Sequence, residues 1–123
     1  MKTKFTIFAL LTFALFILSN NESTAQWVQQ NSGTTYNLES VFFTDDNTGY
    51  CTGFNPNTYM GTIFKTTNGG NTWDSLLISM GAPYVVFFTD ASTGYVGSYG
   101  SVLKTTDAGS TWTGYQLGYE VTF

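Results

Sequence analysis

The chain contains no histidine and no arginine, and its 123 residues carry a single cysteine, two prolines and 10% charged side chains. Each shortage excludes something. Without histidine, and with one thiol at Cys51, the zinc and transition-metal ligand sets built on imidazole and thiolate cannot be assembled, and no dense aspartate loop of calcium-binding spacing occurs. An intrachain disulfide is impossible, so Cys51 is read as a small core hydrophobe, with a reactive or intermolecular thiol as the alternative. The cations are four lysines, at positions 2, 4, 65 and 104. A surface with so little positive charge repels phosphate backbones, which argues against nucleic-acid binding.

What is abundant points to strands. Eleven Phe, eight Tyr and three Trp accompany 13 Gly and many Thr, a composition suited to pleated, half-buried surfaces joined by tight turns. No sustained 3.6-residue periodicity follows the N-terminal segment. That segment has the form of an export signal: a basic start at Met1 to Lys4, an apolar run from Phe5 to Leu18, and a small-residue site at Ser23-Thr24-Ala25, with cleavage expected before Gln26. The apolar run is about 14 residues, short of the ~18 to 20 that a spanning helix needs. The expected product is therefore secreted or displayed at the cell surface, with no membrane span. Beyond residue 25, two lysines face seven carboxylates, a net charge of −5.

An internal repeat organises the remainder. Val41-Phe-Phe-Thr-Asp-Asp-Asn-Thr-Gly-Tyr50 returns 45 residues later as Val86-Phe-Phe-Thr-Asp-Ala-Ser-Thr-Gly-Tyr95. Lys65-Thr-Thr-Asn-Gly-Gly-Asn-Thr-Trp73 returns 39 residues later as Lys104-Thr-Thr-Asp-Ala-Gly-Ser-Thr-Trp112, so the first copy holds six extra residues between the two blocks. Each copy parses into four short strands, near 38–43, 48–54, 60–66 and 72–77, then 84–88, 93–97, 101–105 and 111–117. Four antiparallel strands in 40 to 45 residues make one propeller blade. The expected fold is all-β: a β-propeller fragment with a closing strand at Trp27, blades over 38–77 and 84–117, and a third blade begun at 119–123. Two blades leave sheet faces unpaired, so further blades are expected downstream.

The second block fits the Asp-box pattern as Thr105-Thr-Asp-Ala-Gly-Ser-Thr-Trp112, and the first as Thr66-Thr-Asn-Gly-Gly-Asn-Thr-Trp73, with Asn68 in place of aspartate. The side-chain acceptor of Asp107 or Asn68 can take turn amides, Gly70 and Gly109 tolerate positive φ, Thr72 and Thr111 brace the turn, and the tryptophan buries a large surface. On these blocks, and on Thr93-Gly-Tyr-Val-Gly-Ser-Tyr-Gly-Ser-Val-Leu-Lys within the second copy, the chain resembles the bacterial-neuraminidase-repeat propellers. Within them it is most similar to the photosystem II stability and assembly factor-like repeat proteins. The resemblance implies a fold more than an activity, because related repeats occur in sialidases, xyloglucanases and sortilin-type receptors.

No catalytic constellation is visible, and no cofactor is implied. A sialidase-like mechanism requires an arginine cluster that this chain does not supply, and the equivalent Asp45 and Asp90 are explained more simply by turn geometry than by catalysis. The preferred reading is a non-catalytic interaction or adhesion scaffold for a protein or glycan ligand. The alternatives are a carbohydrate-active hydrolase whose catalytic residues lie in further blades, and a photosystem-assembly-factor-like protein. The extra residues in the first copy place Asn55, Asn57 and Tyr59 on a protruding loop expected near Tyr36, Met80 and Tyr115. That loop is either a binding surface or an ordinary solvated turn.

Overall fold

The computed structural model describes residues 28–76 and 81–118. The expected export signal over residues 1–25, the expected closing strand at Trp27, the 77–80 stretch with Met80, and the expected start of a third blade at 119–123 lie outside the described residues. Two four-stranded antiparallel sheets make up the described chain. The first comprises β1 (Asn37–Phe43), β2 (Gly49–Phe54), β3 (Gly61–Thr66) and β4 (Asp74–Leu76), and the second β5 (Pro83–Phe88), β6 (Gly94–Ser98), β7 (Ser101–Thr105) and β8 (Thr113–Gln116). Both run in simple sequential order, the meander of a propeller blade.

The same local chemistry builds both sheets. In the first turn, Asp45 Oδ1 accepts the amides of Asn47 and Thr48, both at 2.8 Å, and Asp90 does the same for Ser92 and Thr93 at the same distances. Such an Asx turn closes the β1–β2 and β5–β6 hairpins without a left-handed residue. Gly49 and Gly94 follow because an aromatic lies over each: a β-carbon at Gly49 would meet the Phe43 ring at 2.7 Å, and one at Gly94 the Phe88 ring at 2.6 Å. Both first strands also bulge at equivalent places, between Leu38 and Ser40 and between Pro83 and Val85. A bulge increases local twist, which suits the strongly twisted sheet of a blade.

Packing is face to face. From the first blade, Phe42, Tyr50, Ile63 and Leu76 meet Val86, Phe88, Val96, Leu103 and Trp112 of the second in one hydrophobic core. The Tyr50 ring stacks on Phe88 at 4.1 Å between centroids. Its hydroxyl donates to the Ala108 carbonyl at 2.7 Å, and Lys65 Nζ donates to the same oxygen at 2.8 Å while sitting 5.4 Å from the centre of the Tyr50 ring. Burial, and then the negative charges of Asp45 and Asp107, hold the Tyr50 phenol above its ordinary pKa, so it remains a donor. Each blade thus has an inserting face, represented by Tyr50 and Lys65, and a receiving face, represented by Phe88 and Gly109.

Candidate functional site

The Asp-box turns are the first place to look for chemistry, since they gather the carboxylates. Asp107 Oδ1 accepts the Thr111 amide and the Thr105 hydroxyl, each at 2.8 Å, and Oδ2 accepts the Thr111 hydroxyl at 2.6 Å. The Thr105 hydroxyl oxygen takes the Gly109 amide at 2.9 Å, and the Trp112 indole donates to the Gly109 carbonyl at 3.1 Å. Hydrogen bonds, led by that from the Thr111 side chain, lower the Asp107 pKa to about 2. Asp45 and Asp90 are lowered too, chiefly by the backbone amides of their own turns. An anion so stabilised is a poor proton donor at neutral pH, so these three groups act as turn acceptors.

In the first blade Asn68 performs the same closure with different donors. Its Oδ1 accepts the Thr72 amide and the Thr66 hydroxyl, both at 2.9 Å, while its Nδ2 donates to the Thr72 hydroxyl at 2.8 Å. The neighbouring turns are tied together, since the Gly69 amide donates to the Asn47 carbonyl and the Ala108 amide to the Ser92 carbonyl, both at 2.9 Å. Gly69, Gly70, Ala108 and Gly109 all have φ between +55° and +90°. Among the described residues no group of three histidine, cysteine, aspartate or glutamate side chains could hold a metal ion.

At the opposite end of the blades the β2–β3 hairpin carries the extra residues. Asn55 is committed to shaping it: its Oδ1 accepts the Asn57 amide at 2.9 Å, its carbonyl accepts the Tyr59 amide at 2.8 Å, and its amide donates to the Met60 carbonyl at 2.9 Å. This closure places Tyr59 at φ 57°, an uncommon conformation for a bulky residue, and the residue is 74% exposed. Asn57 is exposed at the tip.

Tyr59 and Met60 line a depression between the blades with Gly81, Tyr99, Ser101 and Gln116. Tyr99 is 76% exposed and belongs to the β6–β7 hairpin, the counterpart of the 55–60 loop. The repeat contained the signal for it, since both hairpins join the second and third strands of a blade and each carries a tyrosine. Asn55 and Asn57 do not line this depression, and neither do Tyr36 and Tyr115. Tyr36 instead packs edge-on against Phe64, 5.7 Å between centroids, on the receiving face of the first blade.

Two four-stranded antiparallel blades, each closed by an Asp-box or its asparagine variant, define a fragment of a bacterial-neuraminidase-repeat β-propeller. A family model described as photosynthesis system II assembly factor YCF48 matches residues 19–122, and the chain belongs to that family. Comparison with curated proteins and with solved structures gives no match. Among the described residues no helix is long and apolar enough to cross a membrane.

Proposed function

We propose that this protein is an exported, non-catalytic propeller module that binds a partner in the groove between blades. The observation that carries this reading is the division of labour between the two ends. The recurring carboxylates are held as acceptors within their own turns, while two tyrosines from equivalent hairpins converge on one shallow depression. Tyrosines offer flat, amphipathic contact area at low conformational cost, a feature of surfaces that capture proteins and glycans. The glycan and adhesion reading rests on this surface, and export rests on the leader over residues 1–25.

A second reading takes the family description at its word. The protein for which the family is described is a photosynthesis system II assembly factor. By that analogy the groove of the present chain would hold a polypeptide segment of a membrane complex during assembly.

The test is a capture experiment on the exported protein with a panel of oligosaccharides and a displayed peptide library. A ligand retained by the wild type should be lost at least tenfold in a Tyr59→Ala, Tyr99→Ala variant with an unchanged unfolding midpoint. The class of ligand retained separates the two readings. Capture indifferent to both tyrosines removes the groove as the site.

A further inference from the structure

We propose that Asn68 is a self-modification site, an asparagine whose conversion to aspartate is held off by the closed clip of the first blade and released when that clip opens. Asn68 is the one asparagine in the chain that is followed by glycine. Glycine has no side chain to shield its amide nitrogen, so the pair cyclises readily wherever the backbone is free to move. The Gly69 nitrogen attacks the side-chain carbonyl carbon of Asn68 and a new N–Cγ bond forms. The Cγ–Nδ2 bond breaks, and the amine leaves as ammonia with the proton given up by Gly69. Water then opens the five-membered imide at one carbonyl or the other, leaving aspartate or its β-linked isomer at position 68. Water is the only other reactant.

Both participants are exposed, so water reaches them, yet in the folded chain neither is free to react. The Gly69 amide donates to the Asn47 carbonyl at 2.9 Å. The Asn68 side chain is anchored to residues 66 and 72: its Oδ1 accepts the Thr66 hydroxyl and the Thr72 amide at 2.9 Å, and its Nδ2 donates to the Thr72 hydroxyl at 2.8 Å. Cyclisation requires that side chain to swing onto the next nitrogen, and these bonds must break first. Each net hydrogen bond shifts the balance between closed and open turn by about two- to tenfold. A local opening of this size, well short of global unfolding, sets the rate of conversion.

The second blade shows that the aspartate product has a place in this turn. Asp107 stands at the corresponding position, with Oδ1 accepting the equivalent pair of donors at 2.8 Å and Oδ2 accepting the Thr111 hydroxyl at 2.6 Å. After conversion, the Thr72 hydroxyl has only to turn its proton toward the new carboxylate.

What differs between the copies is the turn alongside. Each clip is tied to the Asx turn of its own blade, Gly69 to the Asn47 carbonyl and Ala108 to the Ser92 carbonyl. The turn beside Asn68 carries Asp45 and Asp46, whereas the turn beside Asp107 carries Asp90 and, at the counterpart of Asp46, Ala91. Each pair of turns therefore holds two carboxylates, and the amide occurs where the adjacent turn already supplies both. The two turns are close, since a β-carbon at Gly69 would sit 3.2 Å from the Asp46 carbonyl oxygen. Conversion of Asn68 adds a third carboxylate at this end of the blade. The ammonia is lost, so the change accumulates as a chemical record of clip opening. The tyrosine-lined groove lies at the other end, and neither proposal depends on the other.

The test incubates the full chain in mildly alkaline buffer, once folded and once in concentrated guanidinium chloride. Mass spectrometry follows the gain of about one mass unit, and proteolytic mapping places it within residues 66–73. The folded wild type should convert at least about tenfold more slowly than the denatured chain. Thr72→Val removes the hydroxyl that holds Nδ2, at an exposed position, and leaves the backbone amide on Oδ1. When folded, this variant should convert about two- to tenfold faster than the wild type, and in denaturant at the same rate. Asn68→Asp, the product made directly, should retain the circular dichroism of the wild type. Equal rates for folded and denatured wild type would overturn the proposal without recourse to any variant. So would a folded Thr72→Val no faster than the wild type, a mass gain mapped to another asparagine in the denatured chain ahead of Asn68, or an Asn68→Asp chain that has lost its sheet signal.

Discussion

The Ala108 carbonyl is the point at which the two blades are latched, and it supports a quantitative prediction. It accepts both the Tyr50 hydroxyl at 2.7 Å and Lys65 Nζ at 2.8 Å. Tyr50→Phe deletes one donor and keeps the ring stacked on Phe88, so the loss should be that of one net hydrogen bond, about 0.5 to 1.5 kcal/mol. Lys65→Met should cost about 1 kcal/mol, from its hydrogen bond and its contact with the Tyr50 ring, moderated because the amine is only half-buried. In either single variant the carbonyl retains a partner. The double variant leaves it without a donor from the first blade, and an unsatisfied acceptor costs about 1 to 3 kcal/mol. The double variant should therefore fall below the sum of the singles by about 1 kcal/mol. Urea denaturation with matched m-values measures this, and each kcal/mol should also move the melting temperature by about 4 to 8 °C. Additive losses would show that the two donors do not share one acceptor, and no loss in Tyr50→Phe would show that the hydroxyl does not bridge the blades.

Two further outcomes follow from the turns. Asp107 has a folded pKa of about 2 against an ordinary 3.8, so its contribution is fully present above the unfolded value and is lost as pH falls from about 4 toward 2. Asp107→Asn should keep the clip, as Asn68 does, and show a shallower loss of urea midpoint over that interval; an unchanged slope would contradict the assignment. Gly70→Ala and Gly109→Ala both place a side chain at positive φ, but only the second meets Tyr50 at 2.9 Å. Gly109→Ala should be the more destabilising by about 1 to 3 kcal/mol, and equal losses would show that no ring rests there.

The strands were legible because the repeat fixes their number and order, yet their ends were not. The last strand of each blade was expected from Thr72 and Thr111, whereas β4 starts at Asp74 and β8 at Thr113. The difference is physical: the amides of Thr72 and Thr111 are taken by Asn68 and Asp107, which keeps them in the clip and out of the sheet ladder. The groove was legible only at Tyr59. Asn55 has the composition of a binding loop, but its polar groups close the hairpin, and no pattern in one dimension distinguishes an asparagine spent on its own backbone from one offered to a ligand. Tyr36, just ahead of β1, is separated from the groove because its ring packs on Phe64, on the sheet face turned away from the second blade. Lys65 and Lys104, read from the sequence only as charges, act across the sheet on Tyr50 and Tyr95. Their recurrence at the same place in both copies was the available signal.

The face-to-face contact between blades underlies both the latch and the groove. Its most direct test is a nuclear Overhauser measurement on the Gly109 α-protons. The account predicts strong cross-peaks to the Tyr50 ring protons and a ring-current shift of those α-protons relative to those of Gly70, where Trp73 alone lies near. Absence of the cross-peaks, with both sheets otherwise intact, would contradict it.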